Sequence, residues 1–318
     1  MAKIGNLVQE AAAFLQHTVV AIPTETVYGL AGNALDPMRV AEIFKVKSRP
    51  FFDPLIVHVA SYTQLSALIT DFPAPLKKLA DAFWPGPLTL LLPRSARIPD
   101  LTCSGLPEAA FRMPAHPLVQ ELLDILDFPL AAPSANPFGY VSPTKAEHVQ
   151  AQLGTLIPYI LDGGPCRVGL ESTIVGMVAN KPTIFRLGGL SQEAIERIIG
   201  PVNVQLNQSS DPRAPGMLKS HYSPRKSILT GNLDLLLQRY ADDNPVLLVF
   251  HEFRADFPRD RQLQLSLDGT DSSAAARLFD LLRQADDFPA NRILAEFAPN
   301  TGLGKAINDR LRRASDNP

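Results

Sequence analysis

Between Ile43 and Val59 the chain reads IFKVKSRPFFDPLIVHV, and there a helical period gives way to a strand. Val40, Ile43 and Phe44 mark an apolar helical face, whereas Leu55, Ile56, Val57 and Val59 suit a buried strand that carries one histidine, His58. Pro50 stops the helix and biases Arg49 away from the α region, so Lys47 and Arg49 fall at the turn between the two elements. A helix running into a buried strand is the unit of an open α/β sheet, whose connecting loops hold ligands. Cations at such a turn suit phosphate or carboxylate. They equally suit a solvated helix C-terminus, where they favour the dipole.

The same alternation runs along the chain. An amphipathic helix is expected over residues 1–18, followed by strands at 18–22, 55–59, 88–92, 109–113, 129–132, 157–161, 172–178 and 183–187. Asp36 and Pro37 read as N-cap and first residue of the helix leading to Lys47, and further helices are expected at 75–83, 117–126, from about Thr144, and at 191–199. The loop PTETVYGL, residues 23–30, offers hydroxyls at a strand end, and PSANPFGYVSPT, residues 133–144, crowds hydroxyls and an amide before a helix start that favours anions. Arg112 interrupts an apolar strand, where it must snorkel or find an anionic partner, because a lone buried cation is too costly. These patterns predict a twisted α/β sheet over residues 1–205, with its ligand at the strand ends. Residues 206–224 are rich in proline and serine and read as a linker. Residues 225–318 alternate again, as a small Rossmann-like α/β domain.

Charge and motif searches narrow the chemistry. The 318 residues carry 30 Lys+Arg against 32 Asp+Glu, a net charge of -2, so no global electrostatic footprint proposes nucleic acid or an anionic membrane as the main partner. Cys103 and Cys166 are expected as reduced thiols, and the six histidines are scattered. Neither a signal peptide nor a membrane span is read, which points to the cytoplasm. GLGK at 302–305 lacks the earlier glycine and the following Ser or Thr of a phosphate loop, and SPTK at 142–145 lacks a KTG partner.

The motifs PTETVYGL, KSRPFFDPLIVHV, WPGPLTLLL, FRMPAHP, APSANPFGYVSPT, LDGG, GLESTIV, FRLGG, APGMLKSHYSP and NTGLGKAINDRLRRAS together resemble the YrdC-type L-threonylcarbamoyl-AMP synthases, in the two-domain form with an extra C-terminal domain. The resemblance implies an open, mixed sheet and a nucleotidyltransferase that condenses L-threonine, bicarbonate and ATP, with Mg2+, to threonylcarbamoyl-AMP and pyrophosphate. Its product would pass to tRNA threonylcarbamoyltransferase proteins. It also implies that Lys47, Arg49, Ser134 and Asn136 surround the phosphates and carbonate, and that Thr26, His58, Arg112, Ala132 and Ser172 contact threonine. Asp53, Ser142, Arg186 and Tyr222 join Arg49 and Ser134 on the nucleotide, and the threonine carboxylate becomes the anion that Arg112 requires. No metal-ligand set and no general base follow from it. Glu108 stands where the family usually has threonine, and Phe138 where serine is common. Met217, Leu218, His221 and Tyr222, with Arg213, Lys219 and Arg225 against Asp211, make the linker heavier and more basic than a tether needs, as a lid over ATP would be. The competing class is a non-catalytic double-stranded RNA-binding module of the same fold, which has no use for Thr26, His58 and Arg112.

Overall fold

The computed structural model describes residues 1–206, 215, 217 and 222–315. Its larger sheet is built from β1 (Lys3–Gly5), β2 (Val20–Ile22), β3 (Gly29–Asn33), β4 (Ile56–His58), β5 (Leu88–Pro93), β6 (Glu108–Arg112), β7 (Leu130–Ala131), β8 (Tyr159–Leu161), β9 (Thr173–Val178), β10 (Lys181–Arg186) and β11 (Asn203–Val204). They lie in the order β1-β8-β2-β3-β7-β4-β6-β5-β9-β10-β11, a mixed sheet with both parallel and antiparallel neighbours. The smaller sheet holds β12 (Ser227–Thr230), β13 (Pro245–Val249), β14 (Gln262–Gln264) and β15 (Arg292–Ala295), all parallel, in the order β12-β15-β13-β14.

Strand period assigns the two faces of the large sheet. Val57, Leu90, Phe111 and Val175 turn toward the helices Pro37–Lys47 and Ala74–Phe83 in one core. Ile56, Leu91, Ala110 and Ile174 turn the other way and are covered by Met217 from the segment joining the sheets. The site lies on this second face. It also lies at strand ends, as expected: His58, Arg112 and Arg186 are the last residues of β4, β6 and β10, Ala132 follows β7 and Ser172 precedes β9.

Two expectations change. The chain does not start in a helix, because Lys3–Gly5 pairs in parallel with β8 and the helix is confined to Val8–Leu15. Gly5 and Asn6 make helix costly there, and an open strand edge is available. The run Gly29–Asn33 also becomes a strand despite two glycines, since β2 and β7 pair with it from both sides. Gly29 is needed for closeness, as a Cβ there would sit 3.2 Å from that of Ala132. The helix before the Lys-x-Arg turn forms as expected: Asp36 Oδ1 accepts from the Met38 N–H at 2.8 Å, and Pro37 opens it. Ser48, at φ 52°, ends it and swings Arg49 inward. Among the described residues no helix is long and apolar enough to cross a membrane.

Candidate active site

Thr26, His58, Arg112, Ala132 and Ser172 line one cavity together with Arg49, Ser134, Arg186 and Tyr222. The register explains the first group. His58 on β4 stands opposite Arg112 on β6, so both side chains share the sheet face, and the Ala132 N–H bonds back to the Ile56 carbonyl at 3.0 Å. Thr26 is fixed by its neighbour, since the two hydroxyls of Thr24 and Thr26 lie 2.7 Å apart and Thr24 caps the Val27 carbonyl at 2.6 Å.

The anionic partner that Arg112 requires within the protein is Glu25. Arg112 Nη2 donates to Glu25 Oε1 at 2.6 Å, both groups are buried, and the Ala115 N–H donates to Oε2 at 3.0 Å. Burial raises the Glu25 carboxyl, but Arg112 outweighs it and holds the acid below its usual range. Sequence reasoning passed over Glu25; its signal was an acid between two threonines immediately after a buried strand. Beside this pair His58 is pressed down to about 3, by burial first and the Arg112 charge second, so its imidazole is neutral at physiological pH.

Lys47, Asn136, Asp53 and Ser142 stand one layer behind the cavity wall rather than in it. Lys47 is 1% exposed, and its ammonium donates to the carbonyls of Ser134 and, at 2.6 Å, Asn136. Burial, and after it the Arg49 charge, hold Lys47 well below the usual lysine range. The Asn136 amide donates to the Pro137 and Tyr140 carbonyls at 2.8 and 2.9 Å, so lysine and asparagine stitch the Ser134 loop into shape. Asp53 meets Arg49 Nη2 at 2.8 Å, and the ring of Phe138 lies 5.9 Å from the Arg49 guanidinium, which places that phenylalanine as packing for the arginine. Glu108 begins β6, at the opposite end of the strand from Arg112.

A cavity with buried arginines, a neutral histidine and clustered hydroxyls suits a zwitterion beside a polyanion, and comparison with known proteins agrees. The family model described as "Telomere recombination", covering Sua5, YciO and YrdC, matches residues 12–188, and the one described as "Threonylcarbamoyl-AMP synthase, C-terminal domain" matches residues 190–316. The threonylcarbamoyl-AMP synthase of Pyrococcus abyssi is 39% identical over 96% of this chain and 93% of its own. The chain belongs to the threonylcarbamoyl-AMP synthase family. The Bacillus subtilis threonylcarbamoyl-AMP synthase is 40% identical over 98% of this chain and 93% of its own. A crystal structure of P. abyssi Sua5 complexed with L-threonine superposes with a TM-score of 0.91 at 37% identity, covering 99% of this chain and 98% of that one. The synthase is thus a nucleotidyltransferase-type enzyme with the expected two-sheet architecture.

In the synthase the remaining wall comes from β9, β10 and the joining segment. Arg186 donates through Nε and Nη2 to the carbonyl and hydroxyl of Ser172, both at 3.0 Å, and through Nη1 to the Pro215 carbonyl at 3.1 Å. Burial lowers Arg186 to about 10. Ser142 donates to Glu171 Oε1 at 2.6 Å. Of the linker residues singled out above, Met217, Tyr222 and Arg225 are described, while Asp211, Arg213, Leu218, Lys219 and His221 lie outside the described residues. Tyr222 is buried at φ 69°, a left-handed conformation costly for an aromatic residue. Among the described residues no group of three or more His, Cys, Asp or Glu side chains is placed to hold a metal. Glu25, Asp53 and Glu171 are each paired with an arginine.

Proposed function

We propose that this cavity condenses L-threonine, bicarbonate and ATP to threonylcarbamoyl-AMP and pyrophosphate, and that the residues divide the work by charge. The observation that carries this reading is that the threonine-side group Thr26, His58 and Arg112 and the nucleotide-side group Arg49, Arg186 and Tyr222 line the same cavity. Arg112 takes the threonine carboxylate. Glu25 holds Nη2 and the Gly86 carbonyl accepts from Nε, so the guanidinium plane is set before substrate arrives. Neutral His58 contributes hydrogen bonding without adding charge, while Thr26 and Ser172 supply hydroxyls.

The threonine amine attacks the carbonate carbon and water leaves, giving a carbamate. A carbamate oxygen then attacks the α-phosphorus, the bond to the bridging oxygen breaks, and pyrophosphate departs with its electrons. Charge grows on phosphoryl oxygens in this step. Arg49, aimed by Asp53 and Phe138, and Arg186, aimed by Ser172, oppose that charge from fixed positions. Lys47 and Asn136 act by holding the Ser134 backbone in register. Mg2+ bound to ATP supplies further charge neutralisation. The product is a mixed anhydride, and tRNA threonylcarbamoyltransferase proteins are its natural consumers.

The test is pyrophosphate release from ATP with each amino acid in turn, with and without bicarbonate. Release that needs both L-threonine and bicarbonate is expected. Release that needs no amino acid, or no release with any of them, would overturn the reading.

A further inference from the structure

Arg310 lies on the last helix, Gly304–Ser315, in the small domain, yet its contacts fall on the cavity of the large one. It is fully buried. Nε donates to Glu171 Oε2 at 3.0 Å, and Nη2 donates to the Leu187 carbonyl at 2.8 Å. Nη1 meets Asp309 at 2.5 Å, and the guanidinium lies 4.9 Å from the centre of the Tyr222 ring. Glu171 and Tyr222 line the cavity, and Leu187 follows Arg186, which also lines it.

We infer that Arg310 is a positioning residue for nucleotide binding: it neutralises Glu171 and holds Tyr222 in place from across the domain boundary, without touching substrate. The inference rests on the reading above that Arg186 and Tyr222 face ATP. Two physical effects carry it. A bare carboxylate at Glu171 would repel an incoming triphosphate, and Arg310 cancels that charge where water cannot. Tyr222, held at positive φ, has the Phe279 ring stacked at 5.4 Å and Arg310 and Arg313 each 4.9 Å from its ring centre, so small-domain side chains fix its orientation. The support is stiff. A Cβ on Gly169, just before Glu171 in the chain, would sit 2.4 Å from the Ala275 carbonyl of the helix Asp271–Asp287, so the loop lies directly against the small domain. The helical period could have marked Arg310, because it shares a face with Ile307, Leu311 and Ala314.

The full chain with Arg310→Met, Arg310→Lys and Lys305→Ala tests this. Lys305 sits on the same helix and bridges to Glu193 of the large domain at 2.6 Å, away from the cavity, so it reports domain docking alone. Circular dichroism confirms folding, calorimetry reads ATP binding, and pyrophosphate release gives KM for ATP and for L-threonine. Arg310→Met is expected to weaken ATP by about tenfold or more, the scale of one lost charge-assisted contact, while KM for threonine moves less than about threefold. Arg310→Lys should fall between, because it keeps charge but loses the planar fork. It carries the test if the methionine variant does not fold. Equal weakening of both substrates, unchanged ATP binding, or an equal effect of Lys305→Ala would overturn the inference. If the unsubstituted chain bound ATP but released no pyrophosphate with threonine, the proposed reaction would fail while calorimetry still judged Arg310.

Discussion

Two buried arginine–glutamate pairs border the cavity, and they are assembled differently. Arg112 and Glu25 both belong to the large domain, joined at 2.6 Å beside the threonine-side residues. Arg310 and Glu171 come from different domains, joined at 3.0 Å beside Tyr222. In each, the glutamate is held below its usual range, because nearby arginine charge, led by Arg112 or by Arg310, outweighs the effect of burial. The first pair sets a cavity-facing guanidinium. The second supports a cavity wall from behind, with Glu171 lining the cavity and its arginine outside the lining. One kind of ion pair thus turns an arginine to the cavity in the first case and a carboxylate in the second.

The largest effect expected is on the first pair. Arg112→Ala leaves Glu25 buried and unpaired, which should cost about 3–5 kcal/mol of stability together with the response to threonine. Urea unfolding checks the stability, and a midpoint equal to that of the unsubstituted chain would show that the pair is not what secures this part of the sheet. Arg112→Lys sharpens the point: the apparent threonine affinity should fall more than that for ATP.

Acid next probes His58, which stands beside the first pair and has no counterpart beside the second among the described residues. The folded pKa of His58 is lowered from 6.5 to about 3, so between those values the unfolded chain binds the proton more readily. Its contribution is whole above about pH 6.5 and is lost as pH falls toward 3. Glu25 and Glu171 are lowered as well, so their contributions persist above the unfolded value of 4.5 and disappear only below it. Stability measured from pH 7 to pH 5 should therefore drop through His58 before either glutamate responds. His58→Gln should flatten that part of the curve, leaving a smaller slope of the same sign from His116, which burial also lowers.

Lys47→Met strips a cation from two backbone carbonyls, and a charged hydrogen bond is worth about 1.5–3 kcal/mol. Loss of roughly ten- to hundredfold in kcat/KM with secondary structure intact is expected. Full activity would show that the Ser134 loop keeps its shape unaided. Smallest is Lys305→Ala, a half-exposed bridge whose loss should move stability by less than about 1 kcal/mol in thermal unfolding. A larger drop would mean that the domains depend on that bridge for docking.

Much of this molecule was legible from residue order. The helix from Pro37 to Lys47 follows from its Asp36 cap and its apolar period, and the strands at Leu88–Pro93 and Glu108–Arg112 follow from short, mostly apolar runs. Less legible were the strand at Gly29–Asn33, whose glycines favour no strand alone, and the strand at Lys3–Gly5, which needs β8 to exist. Within the site, residue types announced a polyanion and carboxylate chemistry, but not which cation faces the cavity. Lys47 and Arg49 are neighbours in sequence, yet the left-handed Ser48 between them sends one to backbone carbonyls and the other to the cavity wall.

Sequence alone determined what depends on local period and residue chemistry: an α/β chain with two sheets, a cluster of hydroxyls and arginines, and an arginine in a strand that had to snorkel or find an anion. Tertiary structure decided which anion. Glu25 lies far from Arg112 along the chain, and Glu171 far from Arg310, so no local pattern could pair them. Removing charge from water is costly enough to favour a carboxylate beside Arg112 and beside Arg310, but only the packing of strands and domains settles which carboxylate is within reach.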